Sequence, residues 1–177
     1  MKIKSMIAVS TLLFLGGCST YSVDRYSVSV DNVSAIKAYK ENPINIGKFT
    51  ASEYKREIMC RGVGPIKTPD NQNFEQFIRK ALIDELKLAE AFSESAPVII
   101  TGNLDFIDFS STSGKWNIGL SLKSSNGKTM SVKENYAFTS SFYGETACNQ
   151  TAQALMPAVQ NLIGKVVTNP KFADLVR

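Results

Sequence analysis

Apolar and polar positions divide the chain into a short apolar leader and a longer amphipathic body. Met6 to Leu15 form an apolar run behind Lys2 and Lys4, ending at Gly16-Gly17-Cys18. A membrane-crossing helix needs about 20 apolar residues, so this run of about ten is too short. Its length, the preceding lysines and its abrupt end fit a signal peptide over residues 1–17. From Tyr21 to Val33, Tyr26, Val28 and Val30 alternate with polar residues. That pattern predicts a tether over residues 18–42 that becomes an early strand. Pro43 disfavours a helix before it. Ile44, Ile46 and Phe49 predict a strand. Residues 52–60 continue as a strand or form a short helix. "RGVGPIKTPDNQ" (residues 61–72) reads as a loop from its glycine, proline and asparagine content.

The clearest helix follows. Phe74, Phe77, Ile78, Ala81, Leu82, Leu86, Ala89 and Phe92 keep helical spacing. Asp70 or Asn71 suits its N-cap. Glu75 and Arg79 are placed to pair one turn apart on the outer face, where Asp84 and Glu85 are also expected. Val98-Ile99-Ile100 opens a strand, and Leu104 and Phe106 continue one of its faces. Trp116, Ile118, Leu120 and Leu122 form one side of a hairpin. Asn126-Gly127 predicts a type I′ turn. The returning strand aligns Met130, Val132, Tyr136, Phe138 and Phe142, with Glu134 and Ser140 interrupting where strand ends reach solvent. A last helix starts near Thr146, with Leu155, Val159, Leu162, Ile163 and Val166 as its apolar stripe. Pro157 should kink it, and Asn169-Pro170 should end it.

The predicted order, roughly β-α-β-β-β-α, gives an α+β class. It implies a mostly antiparallel sheet with two main helices packed on one face, in a single domain over residues 43–177. The Trp116 stripe then faces the helices. No internal repeat or low-complexity segment interrupts it.

Charge adds little to this picture. The chain has 20 basic and 16 acidic residues. Removing Lys2 and Lys4 with the leader leaves 18 against 16, close to neutral. Basic residues are scattered, so no nucleic-acid partner is expected. The chain contains no histidine. That excludes Ser-His-Asp and Cys-His nucleophile activation and removes the commonest general base. No metal site is expected, because zinc usually takes four ligands from cysteine, histidine or carboxylate.

Leu15-Gly16-Gly17-Cys18 resembles the lipobox of bacterial lipoprotein precursors: a branched apolar residue, two small residues, then cysteine. The resemblance covers only the first ~20 residues. It implies cleavage before Cys18 and acylation of that cysteine. Several acyl chains together anchor stably, since each buried CH₂ contributes about 0.8 kcal/mol. Ser19 follows Cys18. In enterobacterial lipoproteins an aspartate there favours inner-membrane retention, so its absence implies the outer membrane in a Gram-negative host. If Cys18 carries lipid, Cys60 and Cys148 remain, and an oxidising periplasm favours one disulfide between them over two free thiols. The body's element order also resembles small periplasmic α+β accessory lipoproteins, among them lipid-transport accessories, curli-pore-type lipoproteins and activators of peptidoglycan synthases. No family motif matches residue by residue, and architecture alone does not assign a task.

Few motifs in the body carry chemistry. Asp105 and Asp108 fall on opposite faces of a regular strand, so they should not converge as a catalytic pair. Ser110 to Ser113 form a polar loop without a base. No catalytic residue and no cofactor is expected, and the chain is read as a non-enzyme. The leading expectation is an interaction or assembly lipoprotein: membrane-bound through its lipid and docking on an envelope protein partner. One alternative is a binder of lipid or another hydrophobic ligand, in a sheet–helix groove lined by Trp116, Phe106 and Phe138. A further alternative is an envelope-polymer enzyme using carboxylates.

Overall fold

A computed structural model describes residues 20–177. The leader and Cys18 lie outside the described residues. The fold is α+β. Strands β1 (Tyr21–Ser22), β3 (Glu57–Cys60) and β4 (Gly64–Lys67) form a small sheet in the order β1-β4-β3. Strands β2 (Asn45–Ala51), β5 (Ile99–Ser110), β6 (Lys115–Ser124) and β7 (Thr129–Ala137) form the large sheet in that order. Strand β2 pairs parallel with β5, and the other two pairings are antiparallel. Helices α1 (Val30–Ile36), α2 (Phe74–Leu88), α3 (Gly144–Val167) and α4 (Pro170–Leu175) complete the chain.

The two long helices pack on one face of the large sheet, as the apolar stripes predict. Trp116 is fully buried there. Its ring lies 4.9 Å from that of Phe109 and 6.5 Å from that of Phe74 on α2, and its indole N–H donates to the Thr151 carbonyl of α3 at 2.8 Å. One side chain thus joins sheet and both helices. Helix α3 runs unbroken through Pro157. Asn169-Pro170 ends it and at once starts α4, with Asn169 capping and Pro170 in the first turn.

Several local expectations are corrected. The predicted loop over residues 61–72 contains β4, because Arg61 and Gly62 both take positive φ (49° and 68°) and the Val63 N–H donates to the Cys60 carbonyl at 2.9 Å. This is the tight primed turn that matches strand twist. The Asn126-Gly127 turn is of the other kind. Only Gly127 has positive φ (87°), and its N–H donates to Ser124, giving a type I turn closed by a left-handed glycine. The cap of α2 is Asn73, whose N–H donates to the Gln76 side chain at 3.0 Å. Asp70 and Asn71 instead sit with positive φ in a short 3-10 turn before it.

The tether predicted over residues 18–42 joins the domain from Tyr21 onward. Tyr21 and Ser22 pair with Ile66 and Lys67 of β4, Val23 is buried, and its N–H donates to Lys67. The alternating residues that suggested a strand lead into α1, capped by the Ser29 hydroxyl. Backbone pairing and burial here outweigh the period-two pattern.

Candidate functional site

The residues nominated from sequence do not form one site. Cys60 and Cys148 are disulfide-bonded, with Cα atoms 5.8 Å apart, tying the end of β3 to α3. Trp116, Phe106 and Phe138 do not share a groove. A register shift between Leu104 and Phe106 adds one residue to β5. Buried positions change parity there, from Ile100 and Leu104 to Ile107. Phe106 therefore points to the outer face, 40% exposed, above Gly119 and facing the Lys133 ammonium. Phe138 lies beyond the end of β7. The expected sheet–helix ligand groove at these three residues is thus overturned by the bulge and by the close packing around Trp116.

The same bulge corrects the two aspartates. Both occupy the outer, solvent side of the sheet. Asp105 accepts from Asn103 (2.8 Å) and Ser121 (2.7 Å), within a ladder that continues to Ser131. Asp108 accepts from the Phe109 N–H. Each is held by ordinary donors. Among the described residues no three histidine, cysteine or acidic side chains gather as a metal site. Ser111 is buried, with its hydroxyl and carbonyl held by Arg61.

A large concavity lies elsewhere, along the outer edge of the large sheet. It is a groove of about 1120 Å³, and all seven residues of β2 line it. Strand β2 has β5 on one side and, among the described residues, no strand on the other. Helix α2 forms the opposite wall, presenting Glu75, Arg79, Ile83 and Lys87, while Tyr54 and Phe92 stand at the ends. Tyr54 is 67% exposed. Near the start of β2, Ile44 bridges Phe92, and Lys87 Nζ sits 5.2 Å from the Phe92 ring centroid.

Arg79 dominates the groove's chemistry. The β2–β5 register shifts between Ile46 and Phe49. Arg79 donates from Nε to the Gly47 carbonyl (2.6 Å) and from Nη2 to the Ile46 carbonyl (2.7 Å). It does not pair with Glu75, as its spacing had suggested. Glu75 is itself buried, not on a solvated face. Its Oε1 accepts from Asn73 at 3.1 Å, and its Oε2 is buried without a hydrogen-bond partner. Asp84 does pair on the outside, with Lys80 at 2.5 Å.

An edge strand is a template for another strand unless something covers it. Arg79→Ala uncovers two carbonyls of β2. This variant is expected to self-associate at lower concentration than the parent, as read by sedimentation velocity over a concentration series. Identical sedimentation of both proteins would show that Arg79 does not cover the edge.

Sequence reasoning missed this groove for a physical reason. It is built from the backbone of β2 and one arginine, neither of which forms a motif. The one legible signal was Glu75, seven residues before Leu82 and hence on the buried stripe of α2.

No family model matches the chain, and no curated protein matches it significantly. Among solved structures, a "putative lipoprotein" from Caulobacter crescentus CB15 aligns at 12% identity and a TM-score of 0.40, covering 83% of this chain and 93% of that one. A likeness at that level assigns neither family nor task.

Proposed function

We propose that the chain is an envelope lipoprotein, acylated at Cys18 and held at the outer membrane, whose folded body is a docking module for an envelope protein. The single observation that carries the docking role is the outer edge of β2, which has no strand partner among the described residues, is covered at two carbonyls by Arg79 alone, and lies along a groove opposite α2. The lipid anchor is supported by the lipobox resemblance of Leu15-Gly16-Gly17-Cys18. No helix among the described residues is long and apolar enough to cross a membrane. A non-enzymatic role is supported by the lack of histidine and by Asp105 and Asp108 each accepting hydrogen bonds from neighbouring groups.

Two experiments test the two halves. Mass spectrometry of the membrane-extracted protein should show an N-terminal acylated Cys18, and Cys18→Ser should leave the protein unprocessed and unacylated. An intact leader on the parent chain would refute the anchor. For docking, whole cells are treated with an amine-reactive cross-linker. The parent should give one discrete heterologous adduct that a Lys48→Glu, Lys87→Glu variant loses. An adduct of equal intensity in the variant would place docking outside this groove.

A further inference from the structure

Resting on that docking role, we propose that the groove is a strand-addition site for an extended segment of the partner protein, and that Arg79 guards it by a hand-over to Glu75.

The shape fits a strand. Seven residues at about 3.3 Å each give an edge about 23 Å long. An added strand gains main-chain hydrogen bonds from the edge, and its alternate side chains fall towards the wall. Here that wall offers Ile83 and Phe92, both half-buried. The charges specify the segment further. Lys48 and Lys87 line the groove and carry no salt bridge among the described residues, and Glu94, at the Phe92 end, is a lining acid in the same position. The fitting occupant is an extended segment with apolar residues facing α2 and an acidic residue facing these two lysines.

Arg79 fills the donor positions that such a strand would use. Its guanidinium holds the Ile46 and Gly47 carbonyls, near the start of β2 where the pairing with β5 shifts register. It must leave when strand N–H groups arrive. Glu75 lies one helical turn away on α2, within reach of the freed side chain. Its Oε2 is buried and has no hydrogen-bond partner. A lone buried carboxylate oxygen is costly, and a guanidinium would satisfy it. The exchange therefore conserves partners. Partner amides replace Arg79 on the edge, and Arg79 replaces nothing at Glu75. The guard keeps the edge from indiscriminate pairing, and the vacant acceptor lowers the cost of opening it.

The probe is a random twelve-residue peptide library panned on the full-length acylated chain in detergent micelles. Enriched peptides are measured by fluorescence anisotropy on the parent, Arg79→Ala and Glu75→Gln, with thermal melts as the folding control. Enriched peptides should alternate apolar residues, carry an acid, protect the amides of β2 from exchange and lose binding when alternate backbone nitrogens are methylated. Arg79→Ala should bind them about tenfold tighter, and Glu75→Gln about tenfold weaker. If Arg79→Ala does not fold, Arg79→Lys, which cannot hold both carbonyls in one fork, should show the same direction. Loss of binding in Arg79→Ala with no change in Glu75→Gln would overturn the hand-over and make Arg79 a contact. Protection outside β2, or no enrichment at all, would overturn strand addition. The docking role would still stand if the lysine-dependent adduct forms in cells, and it alone would fall if that adduct is absent while peptides occupy the groove.

Discussion

Cys60→Ser should unfold at markedly lower urea than the parent, with the unfolding free energy reduced by about 4–5 kcal/mol. The bridge joins residues 88 apart, and closing a loop of that length removes much of the freedom of the unfolded chain. Its position adds to the effect. It fastens the last residue of β3 to the first turns of α3, so without it the small sheet loses its cross-link to that helix. Both cysteines are fully buried, and a serine hydroxyl there has no provided partner. Urea unfolding followed by circular dichroism measures the loss. Dithiothreitol treatment of the parent should reproduce it. A change below about 1 kcal/mol would mean that the unfolded chain gains little freedom when the bridge is absent.

Glu85→Ala is expected to cost about 3 kcal/mol or more. Glu85 is fully buried on α2, and its Oε1 accepts from the Tyr26 hydroxyl (2.5 Å), the Ser29 N–H (2.9 Å) and the Asn32 amide (3.3 Å). Truncation leaves a hydroxyl and a backbone N–H buried without an acceptor and opens a cavity. Asn32 suffers less, because its amide also donates to Gln160 at 2.9 Å. The same contact makes stability depend on alkaline pH. Burial, and then the hydrogen bond to Glu85, push the Tyr26 hydroxyl far above the ordinary tyrosine range. In the unfolded chain it ionises near pH 10. Above that pH the folded state binds the extra proton, so stability falls as pH rises. The contribution is complete below about pH 10 and is progressively lost above it. Tyr26→Phe should lose the hydrogen bond at neutral pH yet show a flatter decline in urea midpoint between about pH 9 and 11. Parallel slopes for the two proteins would contradict this placement of Tyr26.

Glu85 also marks how far the sequence can be read. The stripe of α2 was legible from Phe74 to Leu86, and with it the helix, its packing face and the burial of Trp116 opposite. Glu85 stands seven residues after Ile78, on that same stripe. Its charge argued for solvent and its position for the core, and position prevailed because the segment from Tyr26 to Asn32 supplies donors from far along the chain. Glu134 repeats the lesson in a strand. It shares parity with Met130 and Val132, is buried, and meets Lys165 of α3 at 2.9 Å. Partners distant in sequence are what local periodicity cannot carry.

The bulge in β5 was illegible for a different reason. Alternation defines a face only while the register holds, and one added residue near Asp105 moved Phe106 outside. The Cys60–Cys148 bond agrees with the pairing expected from sequence, which depended on no local pattern. The groove along β2 was hidden because its floor is main chain, and Arg79 looks in sequence like any surface arginine.

A photo-activatable residue placed at Lys48 or Ile83, inside the groove, compared with one at Asn135 on the outer sheet face, tests the docking claim most directly. Irradiated in intact cells, the two groove positions should each yield an adduct with the same envelope protein, and Asn135 should yield none. Equal labelling from Asn135, or no adduct from either groove position, would contradict a partner seated along β2.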